Sequence, residues 1–139
     1  MKKITLLLSV LAILFVAAAC SKEKRVENRL EGNWTIAKQT YTNGWFFENS
    51  WQSNAGTMSF DKSGNVVWVQ NHSGGPTETF AGTYTNSSDV VTMTFNSEVM
   101  EFKILKQTRK EMRLRLYTTY VDDEGNEMAT EVTFEMDKD

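Results

Sequence analysis

The chain offers little to nucleophilic or metal chemistry: among its 139 residues there is one Cys, Cys20, and one His, His72. His72 sits in the Gly-rich stretch His72-Ser73-Gly74-Gly75-Pro76. With Ser73 and a distant Asp it could assemble a Ser/His/Asp group, but no nucleophile elbow surrounds the serine, and an exposed loop residue is the simpler expectation. A zinc cage needs several imidazole or thiolate ligands, which this composition cannot supply. Asp122-Asp123-Glu124-Gly125-Asn126-Glu127 is acidic enough to meet Ca²⁺. It lacks the long calcium-loop spacing with a terminal bidentate Glu, and reads as a hairpin turn with Gly125 at positive φ. Glu131 and Glu135 share the polar parity of one strand and read as solvent-facing, not as a glycosidase pair. No catalytic residue, metal or cofactor is expected, so the chain reads as a binder and not an enzyme.

Binding chemistry is better represented. Trp34, Phe60, Trp68, Phe80, Tyr84, Met100, Phe102, Met112 and Phe134 supply rings and thioethers that could wrap a small apolar ligand. Equally, they could fill a solid core. A second group, Trp45-Phe46-Phe47-Glu48-Asn49-Ser50-Trp51, concentrates four aromatics in a short segment. Part of it is expected in the core. Trp45, Phe46 and Trp51, if exposed, would form a portal or a contact loop for a protein partner.

Those side chains need elements to hold them, and from Trp34 onward the elements read as strands. β-Branched and aromatic residues alternate with polar ones between short turn signals. The candidates are Trp34–Thr42, Trp45–Gln52, Gly56–Phe60, Asn65–Asn71, Thr77–Thr85, Val90–Phe95, Glu98–Thr108, Glu111–Tyr120 and Glu127–Met136. Asn43-Gly44 and Asp61-Lys62-Ser63-Gly64 are hairpin turns by composition. Alternation is plainest where Met112 and Leu114 interleave with Arg113 and Arg115, which puts both arginines outside. Short connections imply an antiparallel meander. Eight or nine strands with one apolar face each predict an all-β, up-and-down barrel of about eight strands, or two stacked sheets.

The first residues obey other rules. Lys2 and Lys3 precede an apolar run, Ile4 to Val16, which is too short to span a bilayer and has the length of a secretory signal core. Ala17-Ala18-Ala19 supplies the small side chains that a signal peptidase requires. Residues 1–19 are therefore expected to be a signal peptide, 20–29 a charged tether, and 30–139 the barrel domain. Val26 and Leu30, four apart, could share one short helical turn. Without the leader, residues 20–139 carry 13 basic and 18 acidic side chains, a formal charge of −5. Such a balance disfavours nucleic acid as a partner.

Ala17-Ala18-Ala19-Cys20 closely resembles the lipobox of bacterial lipoproteins, in which the cysteine thiol receives diacylglycerol and becomes the new N-terminus. The resemblance implies that Cys20 is lipidated, with acyl chains such as palmitate, and that the protein is membrane-anchored without spanning. It further implies a place in the cell envelope, in the outer membrane of a Gram-negative bacterium, with Ser21 compatible with that sorting. Leu30-Glu31-Gly32-Asn33-Trp34 resembles the Gly-x-Trp signature of lipocalins and related calycin barrels, where the Trp plugs the closed end. Met58 to Val66, Phe80-Ala81-Gly82-Thr83-Tyr84, Phe102 to Leu105 and Glu111 to Leu116 extend the likeness to small lipocalin-like lipoproteins. That family implies binding of a small apolar or amphipathic ligand inside the barrel. The alternative is an envelope interaction or assembly module with a solid core and the aromatic contact loop.

Overall fold

The computed structural model describes residues 22–43 and 49–139. A helix, α1, covers residues 22–30 and is followed by eight strands. These are β1 (Gly32–Asn43), β2 (Asn49–Phe60), β3 (Asn65–Gln70), β4 (Glu78–Asn86), β5 (Val90–Phe95), β6 (Glu98–Gln107), β7 (Glu111–Val121) and β8 (Glu127–Lys138). Each pairs antiparallel with the next, and β8 returns to pair with β1, so the sheet closes into a barrel without free edges.

Alternation decides which face turns inward. On β3 Val66 and Trp68 are buried between exposed Asn65 and Val67; on β7 Met112, Leu114 and Leu116 are buried. Val132, Phe134 and Met136 on β8 complete that wall. Each such side chain contributes about 1.5–3 kcal/mol on leaving water. Outside, Arg113 donates to Glu135 at 2.7 Å, and Arg115 lies 3.8 Å from Glu131. Both arginines and both carboxylates therefore lie on the outer face as alternation requires.

Two of the nine candidate strands merge. Gly56 faces Ile36, but the next paired residues are Ser53 and Lys38, so the ladder is interrupted and β2 bends at Asn54, whose φ is 50°. The segment from Asn49 to Phe60 is consequently one strand. The Asn43-Gly44 turn, Trp45 and Phe46 involve residues 44–48, outside the described residues, as are Cys20 and the leader. Of Trp51 only the backbone is described, opposite Thr40.

The tether is not extended where it is described. Val26 and Leu30 are buried on one face of α1, which closes the barrel end formed by the start of β1 and the β2–β3, β4–β5 and β6–β7 turns. Lys24 and Glu27 pair at 2.9 Å on its wet face. Terminal helical carbonyls need partners from elsewhere. Trp34 Nε1 donates to Leu30 O at 2.8 Å, and Lys138 Nζ to Arg29 O at 3.2 Å. The cation at the helix C-terminus also suits the helix dipole. Among the described residues no helix is long and apolar enough to cross a membrane.

Two hairpins use the same turn chemistry. In Asp61-Lys62-Ser63-Gly64-Asn65 the Asp61 carboxylate accepts from Ser63 N at 2.9 Å, Asn65 N at 2.8 Å and Asn65 Nδ2 at 2.8 Å. In the β7–β8 turn Asp122 accepts from Glu124 N at 3.0 Å, Asn126 N at 2.8 Å and Asn126 Nδ2 at 3.1 Å. Gly64 and Gly125 take φ of 85° and 84° in the equivalent place. Hydrogen bonds from the Asn65 side chain and backbone hold Asp61 below the usual carboxylate range, and those from Asn126 do the same for Asp122. A depressed folded-state pKa means that the unfolded chain takes up protons first as pH falls. The stabilisation is complete above the unfolded Asp value of about 3.9 and disappears as pH falls below it through the folded values. Urea midpoints are thus expected to fall below about pH 4, and to fall less in the Asp61→Asn, Asp122→Asn double variant. An acid limb unchanged by the double substitution would contradict this assignment.

Candidate functional site

The barrel interior divides into a filled closed half and a more polar open end. Near α1, Trp34 is fully buried beneath Lys138, whose Nζ lies 5.1 Å from the indole centroid. Phe60 and Tyr84 meet edge to face at 5.0 Å, and the Tyr84 hydroxyl donates to Asp61 O at 2.7 Å. Burial, followed by the charges of Glu27, Asp61 and Glu31, raises the Tyr84 pKa. Met112 is buried beside its register partner Met136.

Further along the axis, Trp68 stands at the centre of a ring cluster. Phe134 lies 5.5 Å away between centroids, Phe80 6.0 Å, Phe95 6.1 Å and Phe102 6.2 Å. Phe102 and Phe134 meet at 5.8 Å, closing the cluster. Seven of the nine candidate binding residues are thus core: Trp34, Phe60, Trp68, Tyr84, Phe102, Met112 and Phe134. Phe80 and Met100 are half-buried at its margin.

Trp68 carries an unusual feature for such a place. The residue is 5% exposed, yet its Nε1 has no hydrogen-bond partner. Arg115 Nε is the other unpartnered buried side-chain atom among the described residues, but it belongs to a cation stacked 5.0 Å over Tyr117 on the outer face. Phe80, Phe95, Phe102 and Phe134 surround the indole, and Met58 is its register partner on β2.

Sequence parity does not reveal Gln39. After Trp34 and Ile36, strict alternation would turn Lys38 inward and Gln39 outward. The bulge between Ile36 and Lys38 reverses this, and Gln39, opposite Phe134, is 5% exposed. Its Nε2 donates to the Tyr41 hydroxyl at 2.5 Å. Burial raises the Tyr41 pKa, and the bond from Gln39 partly offsets the rise. A second bulge, between Ile104 and Lys106, acts alike on β6: Gln107 Nε2 reaches Val26 O in α1 at 3.3 Å. Bulges re-aim side chains in this way because one extra residue shifts the pleat.

Tyr41 also borders an open cleft of about 560 Å³ with Gln52, Ser53, Asn54, Asn71, His72 and Ser73. Gln52 Nε2 donates to Asn71 O at 2.6 Å, and Asn71 Nδ2 to Asn54 O at 2.9 Å, so the strand bend is tied to the β3–β4 loop. His72 is half exposed and lies 3.3 Å from Glu78, not against a serine nucleophile. Among the described residues no group of three His, Cys, Asp or Glu is arranged to hold a metal ion.

No protein-family profile matches the sequence. No curated protein matches it either. Solved structures do resemble the barrel. A lipocalin-like protein from Bacteroides uniformis is 15% identical, with a TM-score of 0.54 over 80% of this chain and 99% of that one. An uncharacterized protein from Bacteroides eggerthii is 18% identical, with a TM-score of 0.53 over 79% of this chain and 99% of that one. At such identities the likeness is one of fold. With its eight antiparallel strands in sequential order and closed by β1 and β8, the chain has a lipocalin-like fold.

Proposed function

We propose that this is a membrane-anchored lipocalin-like binding protein, held through acylated Cys20, which takes a small amphipathic molecule at the open end of its barrel. The unpartnered indole N–H of Trp68 carries the reading. Leaving a buried donor unpaired costs about 1–3 kcal/mol, which an acceptor oxygen on a ligand would recover. The half-buried margin at Phe80 and Met100 suits the apolar part of such a molecule, while Gln39 and Tyr41 suit its polar part. These groups bind and orient; none is arranged as a nucleophile with its base, which supports binding over catalysis. The anchor, and with it an envelope location in the outer membrane of a Gram-negative bacterium, is supported by Ala17-Ala18-Ala19-Cys20 and Ser21.

Unbroken ring contact from Trp68 to Phe102 and Phe134 favours a second reading, a filled barrel serving as an envelope interaction module. Its contact loop would be Trp45, Phe46 and Trp51. The two readings diverge in one experiment. Residues 21–139, purified without detergent, are analysed by native mass spectrometry and lipid extraction, then titrated with a fluorescent fatty acid. A co-purifying molecule and saturable binding are expected. Trp68→Phe, which keeps a ring but removes the N–H, is expected to weaken displacement about fivefold. A folded, empty chain with no saturable binding would sink the ligand reading in favour of the second.

A further inference from the structure

One groove of this net-negative chain is lined by cations. At the closed end, Lys24, Arg25, Arg29, Arg109 and Lys138 surround an open groove of about 680 Å³, with Asn28 as the remaining lining residue. Lys24 is paired with Glu27, but Arg25, Arg29, Arg109 and Lys138 form no salt bridge among the described residues. Arg29 Nη1 and Lys138 Nζ are directed to backbone carbonyls, which satisfies donors without neutralising charge. Carboxylates of Glu23, Glu27, Glu31, Asp137 and Asp139 also lie at this end, so the positive charge is local to the groove, whereas the opposite end is acidic. Glu78, Glu98, Asp122, Asp123, Glu124 and Glu127 lie on its strand ends and turns, where residues 68–79, 95–100 and 117–130 include no Lys or Arg.

We propose that the closed end is a docking surface for an anionic lipid bilayer, its unpaired cations meeting headgroup phosphates while the acidic open end faces water. The proposal rests on the Cys20 anchor. That residue lies two positions before α1, so at about 3.5 Å per extended residue the acylated cysteine stands within about 7 Å of the helix start. Since α1 lies across the closed end, an anchor there brings that end to the bilayer. Each cation near an anionic leaflet adds attraction, and the carboxylates of the far end are repelled, so both ends favour one orientation. Ligand exchange at the mouth would then proceed without displacing the protein from the lipid.

The full chain, processed and acylated in bacteria, is reconstituted into phosphatidylcholine vesicles with or without one part in four phosphatidylglycerol. Flotation with neutral vesicles tests the anchor by itself, and amide hydrogen exchange then tests the orientation. Phosphatidylglycerol is expected to slow exchange in residues 22–30 and 108–110 about fivefold or more, with residues 71–77 and 122–126 unchanged. High salt should remove the protection. Arg25→Glu with Arg109→Glu should remove it too while leaving the melting temperature unchanged; if that variant fails to fold, the salt titration of the parent chain decides. A chain that floats on neutral vesicles but exchanges equally on both lipids overturns the docking proposal and leaves the anchor intact. Protection at the open end overturns the orientation, and equal protection by millimolar inorganic phosphate on neutral vesicles replaces the lipid surface with a free-anion site.

Discussion

Truncating Phe102 to alanine is expected to destabilise the barrel by about 3–5 kcal/mol. The ring is 0% exposed, set between Val91 and Leu116 in the ladder, and touches the Trp68 and Phe134 rings at 6.2 and 5.8 Å between centroids. Its removal leaves a void walled by rigid rings on a closed hydrogen-bonded sheet, so little collapse can offset the lost contacts. Against a typical domain stability of about 5–15 kcal/mol, this is a large share of the total. Met100→Ala on the same strand should cost less, about 1–2 kcal/mol, because Met100 is only half-buried. Urea unfolding followed by circular dichroism measures both. A Phe102→Ala loss below about 1 kcal/mol would mean that the central rings do not pack as a filled core.

Gly56→Ala is expected to be as severe for a different reason. Gly56 has φ of 131°, and a Cβ built there would stand 1.8 Å from the Val69 carbonyl oxygen and 2.8 Å from its carbon. The obstacle is β3 backbone, which cannot swing aside as a side-chain tip would. Unfavourable φ and displaced ladder together are expected to cost about 3 kcal/mol or more, or to prevent folding. Gly125→Ala isolates the first component, since φ there is 84° with nothing within 4 Å of the added carbon. That control should lose about 1–2 kcal/mol. Equal unfolding midpoints for the two variants would show that the close approach of β2 to β3 is not what demands glycine at 56.

The ribbons around Met112, Leu114 and Leu116, or Val132, Phe134 and Met136, were legible because period two is a local property. Each polar neighbour marks the outer face whatever the sheet does next. The Asp61 and Asp122 turns were legible in kind for the same reason, since both depend on residues within five positions. The inward placement of Gln39 and Gln107 was not. A bulge is chosen by the register of two neighbouring strands and by the bend needed for closure, and Ile36-Ala37-Lys38 carries no mark of either. The plug helix was half legible: Val26 and Leu30 have the right spacing, but two apolar residues among charges do not make a helix stable in water. The barrel end that it closes supplies the missing burial.

By itself, then, the sequence determined the strand class, the inward and outward residues of the regular ribbons, and a set of rings sufficient for a core. Those outcomes follow from alternation and turn chemistry, which act over a few residues. Only the tertiary structure decided that Phe102, Phe134 and Trp68 meet, that Gln39 points inward, that the Trp68 N–H lacks a partner, and that five cations gather around one groove. These depend on which distant residues arrive at the same level of the barrel axis. Strand stagger and two bulges set that level, and neither is encoded in any one segment.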